Sequence, residues 1–340
     1  MLGLGLGLNR FNLAALPTQR YFSTFDPVLN SYGELDTAFT PSGDFEVEAQ
    51  VSTVSESIVS IFSGTNQNED GIGLRMNADG SLFAFVFVGS TLQTTITSST
   101  GFNDGILHTI KLAYTGTTAE LFVDGVSEGS ATWSLNDNQH IKNIGYRPTS
   151  LQYFDGIIAN VKLTDLATPA NSRIFPVGLS GGASVENSTI NSGSITYYNL
   201  PSSNQERFTF DEANQRWVGD ELVTNGMFDA DSDWTKGAGW TIADSKLQSD
   251  GTSSRTSQAG SEYNNLYDFV VTFNILDHVG GGTLSVELGS FSGTPVPGLG
   301  NGGFSMDLTS PGTNTNFAFY STGFIGSIDN VSVKRLLEIA

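Results

Sequence analysis

From Asp44 the chain alternates apolar and polar positions with a period of two. Phe45, Val47, Ala49 and Val51 fall on one face, and Glu46, Glu48 and Gln50 on the other. That is the pattern of an antiparallel strand with one buried and one wet face. Ser57 to Phe62 predicts a further strand. Gly71 to Met76 and Ser81 to Val88 flank the turn signal Asn77-Ala-Asp-Gly80. Ala119 to Val123 and Val126 to Trp133 flank Asp124-Gly125, which predicts a tight hairpin. His108 to Tyr114 and Phe154 to Leu163 complete a set of short strands suited to a sandwich. Beyond Glu221 the pattern resumes: Phe269, Val271, Phe273 and Ile275 share a face, and strands are predicted over 283–288, 304–308, 317–320 and 328–333. The fold class read from this is all-β, with two β-sandwich or jelly-roll domains.

Two stretches differ. Over residues 1–29, Leu2, Leu4, Leu6 and Leu8 alternate with glycine. If extended, that run puts four leucines on one face and bare backbone on the other. It reads as an arm docked on a partner or on sister subunits. The run is too short to span a bilayer and lacks the basic start of a signal peptide. Residues 167–219, with Gly181-Gly182, Pro169, Pro176 and Pro201, read as a connector packed on its neighbours. The domains are therefore expected at 30–166 and 220–340.

Composition supports the strands. Of 340 residues, 39 are glycine and only 15% are charged, while 23 Phe and 10 Tyr supply core. The formal charge of −20 opposes nucleic acid and anionic membranes as partners. With no cysteine, disulfides, thiolate catalysis and Cys-type zinc sites are excluded.

Asp104-Gly-Ile-Leu-His-Thr-Ile-Lys-Leu112, followed by Ala119-Glu-Leu-Phe-Val-Asp-Gly125, resembles the laminin-G or concanavalin A-like lectin family, with Leu107 where that family usually has Trp. Phe154-Asp-Gly-Ile-Ile-Ala-Asn-Val-Lys-Leu163 resembles the family's closing strand, so the likeness spans 30–166. Glu221-Leu-Val-Thr-Asn-Gly-Met-Phe-Asp229 and Ile325-Gly-Ser-Ile-Asp-Asn-Val-Ser-Val333 resemble the start and end of a carbohydrate-binding-module-like jelly roll. The combination is similar to virion proteins of tailed bacteriophages, of the tail-fibre or head-fibre type. That resemblance implies a virion location, other virion proteins as partners of the arm, and host-surface glycans as a ligand class. A decoration protein without a sugar ligand and a polysaccharide-degrading enzyme are the alternatives.

Fold does not fix function, so the candidate residues matter. No catalytic set stands out. Glu46 and Glu48 are the best carboxylate pair, but Gln50 holds the third position and no aromatic flanks them, so they read as a solvated face. His108 reads as structural, and no Gly-x-Ser-x-Gly elbow is present. Glycan contact needs an aromatic platform beside planar polar groups. Tyr146 and Tyr153 near Asn136 and Asp137 are candidates in the first domain, Trp240 and Tyr263 in the second. No cofactor is required, but the jelly-roll resemblance implies a structural calcium at Asp229 and Asp329. Ser81 to Val88 is apolar on both faces, so Phe83, Phe85 and Phe87 need a cover. A homo-oligomer, a trimer if the protein is a fibre, is the expectation drawn from them.

Overall fold

The computed structural model describes residues 19–64, 71–136, 138–178, 184–200, 205–211, 214, 216–260, 263, 267–289 and 292–337. The chain divides into two compact units, Met1–Trp217 with Glu338–Ala340, and Val218–Leu337. Both are built of antiparallel sheets. Among the described residues no helix is long and apolar enough to cross a membrane.

In the first unit one sheet runs Val126–Thr132, Thr118–Val123, His108–Thr115, Phe45–Ser52, Gly156–Asp165, Gln19–Phe25, Gln205–Asp211. The facing sheet runs Val185–Asn187, Ser194–Tyr198, Tyr32–Phe39, Ile141–Ile144, Val59–Ser63, Ile72–Met76, Leu82–Val88, Thr91–Leu92. The alternation read from the sequence sets the burial. Phe45, Val47, Ala49 and Val51 are fully buried, and they share one cluster with Ile61, Leu74, Leu82 and Val86 from the other sheet. Burying each such side chain contributes about 1.5–3 kcal/mol. The Asp124-Gly125 turn has both residues at positive φ, 51° and 81°, the twist that lets Val123 pair directly with Val126.

Two boundaries differ from the sequence reading. Gln19–Phe25, placed in the arm, is a strand between Gly156–Asp165 and Gln205–Asp211. The expected connector also supplies strands: Arg173–Phe175 pairs with Gly156–Asp165, and Ser194–Tyr198 pairs with Tyr32–Phe39. Polar, proline-bearing composition around them hid these short strands, although Phe175, Ile195 and Tyr197 are buried in the core. Leu2, Leu4, Leu6 and Leu8 lie outside the described residues, as does Asp137.

The second unit is also a sandwich. One sheet runs Trp240–Ala243, Lys246–Asp250, Ile325–Leu337, Asp268–Val279, Gly302–Thr309. The other runs Thr235–Lys236, Ser254–Ala259, Asn316–Thr322, Thr283–Leu288, Thr294–Pro295. Phe269, Val271, Phe273 and Ile275 meet Trp234, Phe317 and Phe319 in its core. Its opening and closing segments lie side by side: the Leu222 N–H donates to Val333 O and the Val331 N–H to Gly226 O, both at 2.9 Å.

Candidate functional site

The first unit carries a cluster of four tyrosines. A short hairpin pairs Tyr146 with Tyr153 and Arg147 with Gln152. Side chains alternate along a strand, so the two tyrosines share one side of the hairpin while Arg147 and Gln152 share the other. The tyrosine rings stack with centroids 4.5 Å apart and planes 20° apart. A second cross-strand pair, Tyr32 and Tyr198, stacks at 4.8 Å and 16°. Tyr32 joins the two pairs through Tyr146, at 4.8 Å. Three of the rings are half-buried and Tyr198 is exposed.

The loops around the array are held tightly. Ser31 Oγ donates to Asn199 O at 2.7 Å, and Asn30 and Asn199 adopt φ of 57° and 52°. Leu151, at the hairpin tip, is 68% exposed with φ 50°. Left-handed backbone at a branched, exposed leucine costs about 1–3 kcal/mol and concentrates at ligand-binding loops. Burial, with the Tyr153 hydroxyl bond and the neighbouring Tyr153 and Tyr32, pushes the Tyr146 hydroxyl up to about 12. It stays protonated across physiological pH, able both to donate and to accept.

Beside Tyr153 opens a cavity of about 510 Å³, within the range of small-ligand pockets, whose lining includes Asn30, Ser55, Ser57, Gln152 and Asp155. Burial holds the Asp155 carboxyl above the usual carboxylate value, with Asp26 adding to it and a Ser55 hydrogen bond opposing. Aromatic faces next to hydroxyls, an amide and a carboxyl suit a ligand with one apolar and one hydroxylated face.

The other side of the hairpin meets the outer face of the second sheet. There Phe85 lies flat over Gly73, where a Cβ would come within 2.0 Å of its ring. The Arg75 guanidinium stands 4.4 Å from the Phe83 centroid, and that of Arg147 stands 4.7 Å from the Phe85 centroid. Part of the cover expected for Phe83, Phe85 and Phe87 comes from the chain itself. Phe85 is buried within the chain, and Phe83 and Phe87 are half-buried. Arg75 covers Phe83 and Arg147 covers Phe85 by cation–π contact.

The remaining candidates are placed differently. Asn136 is exposed, and its side-chain Oδ1 accepts the Asn138 N–H at 2.9 Å within its own loop. Trp240 and Tyr263 are 3% and 1% exposed and belong to the core of the second unit, so neither offers a ring face to a ligand. Aromatics flanked by polar residues resemble platforms in a sequence, yet here they point inward. Asp229 is exposed, and both Asp329 oxygens are engaged by Asn330, at 2.7 and 3.1 Å. Among the described residues no group of three or more His, Cys, Asp or Glu could hold a metal ion. Glu46 and Glu48 are half-buried and ion-paired with Lys111 and Lys162. His108 is clamped between Asp124 at 2.7 Å and Asp104 at 3.1 Å.

A laminin G-type sequence model of the concanavalin A-like lectin/glucanases superfamily matches residues 32–171. Over those residues the fold is of this type. Among curated proteins none matches the chain. Three solved structures are similar. A Bacteroides ovatus protein provisionally described as carbohydrate-binding is 14% identical over 53% of this chain, with a TM-score of 0.39, and the chain spans only 58% of that protein. The heptameric SAP-like pentraxin of Limulus polyphemus is 14% identical over 45% of this chain and 80% of its own, with a TM-score of 0.37. Domains LG4-5 of the mouse laminin alpha1 chain are 11% identical over 93% of this chain and 80% of their own, with a TM-score of 0.37.

Proposed function

We propose that this chain is a non-catalytic carbohydrate-binding protein whose first unit holds glycan against the Tyr146–Tyr153–Tyr32–Tyr198 array. The observation that carries the reading is that array: stacked, accessible tyrosines with protonated hydroxyls beside a cavity of mixed polar and apolar lining. A sugar's C–H face would lie against the rings and its hydroxyls would meet Gln152, Ser57 and Asp155. The finer reading is a surface protein of a tailed-bacteriophage particle, a tail or head fibre that touches host-surface glycans. It is supported by the pairing of a lectin-type unit with a second sandwich that opens at 221–229 and closes at 325–333.

Bacterial-surface glycans arrayed against the whole chain test the first reading. Binding should weaken about three- to tenfold for each of Tyr153→Ala and Tyr198→Ala. A blank array would leave a particle decoration protein without a ligand as the better account. Immunogold labelling of purified particles tests the finer one, and label absent from particles would sink it.

A further inference from the structure

The chain has 35 acidic side chains and 15 basic ones, so a carboxylate is in excess for every cation. Lys111, Lys142, Lys162, Arg173 and Lys246 all take one. Arg75 and Arg147 do not. Both are half-buried, and neither has an ion-pair or hydrogen-bond partner among the described residues. They stand on adjacent phenylalanine rings whose centroids are 5.8 Å apart. Burial lowers both guanidinium pKa values, and for Arg147 the neighbouring charge of Arg75 adds to it.

Two like charges held together without a counter-ion cost free energy. Three polar atoms of the same neighbourhood are buried without a hydrogen bond: Arg75 Nε, Gln152 Oε1 and Ser60 Oγ. Gln152 is the cross-strand partner of Arg147, and Ser60 that of Arg75. Buried polar atoms left unpaired ask for a partner that the described residues do not supply. Cation–π stacking uses the flat face of a guanidinium, which leaves its N–H edge for a carboxylate or sulfate.

From this we infer that the glycan is acidic, and that Arg75 and Arg147 together bind a carboxylate or sulfate carried by one of its sugars, with Gln152 taking an adjacent hydroxyl. The inference rests on the carbohydrate reading and narrows its ligand class. One short hairpin carries both halves of the site, tyrosines on one side and the arginine–glutamine rung on the other. The net negative field of the chain opposes any acidic ligand, so the selectivity is local to this pair.

The test is calorimetry on the whole chain with matched oligosaccharides: one neutral, one carrying uronate and one carrying sulfate on the same backbone. At least one acidic form should bind about tenfold tighter than the neutral one. Arg75→Gln and Arg147→Gln should each erase that preference. The uronate and sulfate arms tell the two anions apart. Equal affinity for all three forms in the unmodified chain would overturn the inference and leave the carbohydrate reading standing. No binding to any of them would remove both. The unmodified-chain comparison needs no variant, so a variant that fails to fold does not shield the inference.

Discussion

Asp165 is a fully buried carboxylate at the end of Gly156–Asp165, and replacing it is the sharpest stability test of the first unit. It accepts from five donors: the Ser42 N–H at 3.1 Å, the Ser42 hydroxyl, the Ala167 N–H at 3.1 Å, the Thr168 N–H at 2.7 Å and Asn171 Nδ2 at 3.1 Å. Burial alone would raise its pKa, but the bonds from Thr168, Asn171 and Ser42 outweigh it and hold the group below its ordinary 3.8. A hydrogen bond to a charged acceptor contributes about 1.5–3 kcal/mol, and bonds sharing one acceptor do not add. Ser42, Ala167, Thr168 and Asn171 are themselves exposed, so water can reach the donors a substitution frees. Asp165→Ala should therefore cost about 2–4 kcal/mol at neutral pH, and Asp165→Asn less, because it keeps the shape and one acceptor. Urea denaturation of each variant measures this. The sign with pH is fixed by the depressed folded pKa. The stabilisation is present above 3.8, the unfolded value, and is lost as pH falls through the lower folded value. The gap between parent and Asp165→Ala should thus close on acidification. A cost below about 1 kcal/mol, or a gap that ignores pH, would refute the account.

Three further outcomes are expected. Burial opposes protonation of His108, but the bond and charge of Asp124, with Asp104, prevail and raise its pKa above 6.5. Its stabilisation is full below 6.5 and fades as pH rises through the raised value, so thermal melts should show a loss on the alkaline side that His108→Gln flattens. Gly73→Ala would set a Cβ within 2.0 Å of the Phe85 ring and should cost about 1–3 kcal/mol. It should also weaken acidic-glycan binding, since the displaced ring supports Arg147. Because Asn330 already engages both Asp329 oxygens, excess calcium or chelator should shift the Tm by less than about 1 °C, and a larger rise would restore a calcium site there.

Much of the sheet content was legible because each strand with one wet face writes its own period. Phe45–Val51 and the Asp124-Gly125 turn are local signals, and they appear where the sequence puts them. Tyr146 and Tyr153, half of the proposed array, could be picked out as aromatics in a loop-rich stretch. Tyr32 and Tyr198 were not, since they meet only when Ser194–Tyr198 pairs with Tyr32–Phe39, a long-range register that no local pattern encodes. The alternation in Tyr197-Tyr198 does say that one ring points out and one in, and Tyr197 is the buried one. The arginines were missed for a related reason. Phe83 and Arg75 are cross-strand partners, visible only once the hairpin is closed, and Arg147 reaches Phe85 from a strand far along the chain.

The hairpin that bears Tyr146 and Arg147 also limits how such a surface can diversify. Consecutive residues of a strand turn to opposite sides, so removing one residue just ahead of Tyr146 would swing the phenol toward the phenylalanines and the cation toward the other tyrosines. Changes of length in the Pro148 to Leu151 tip carry no such penalty, because the two rungs stay in register whatever spans them. Selection for new sugars would therefore act on the tip and spare the short run from Ile144 to Arg147, a bias that the lengths of these two segments in sister sequences would record.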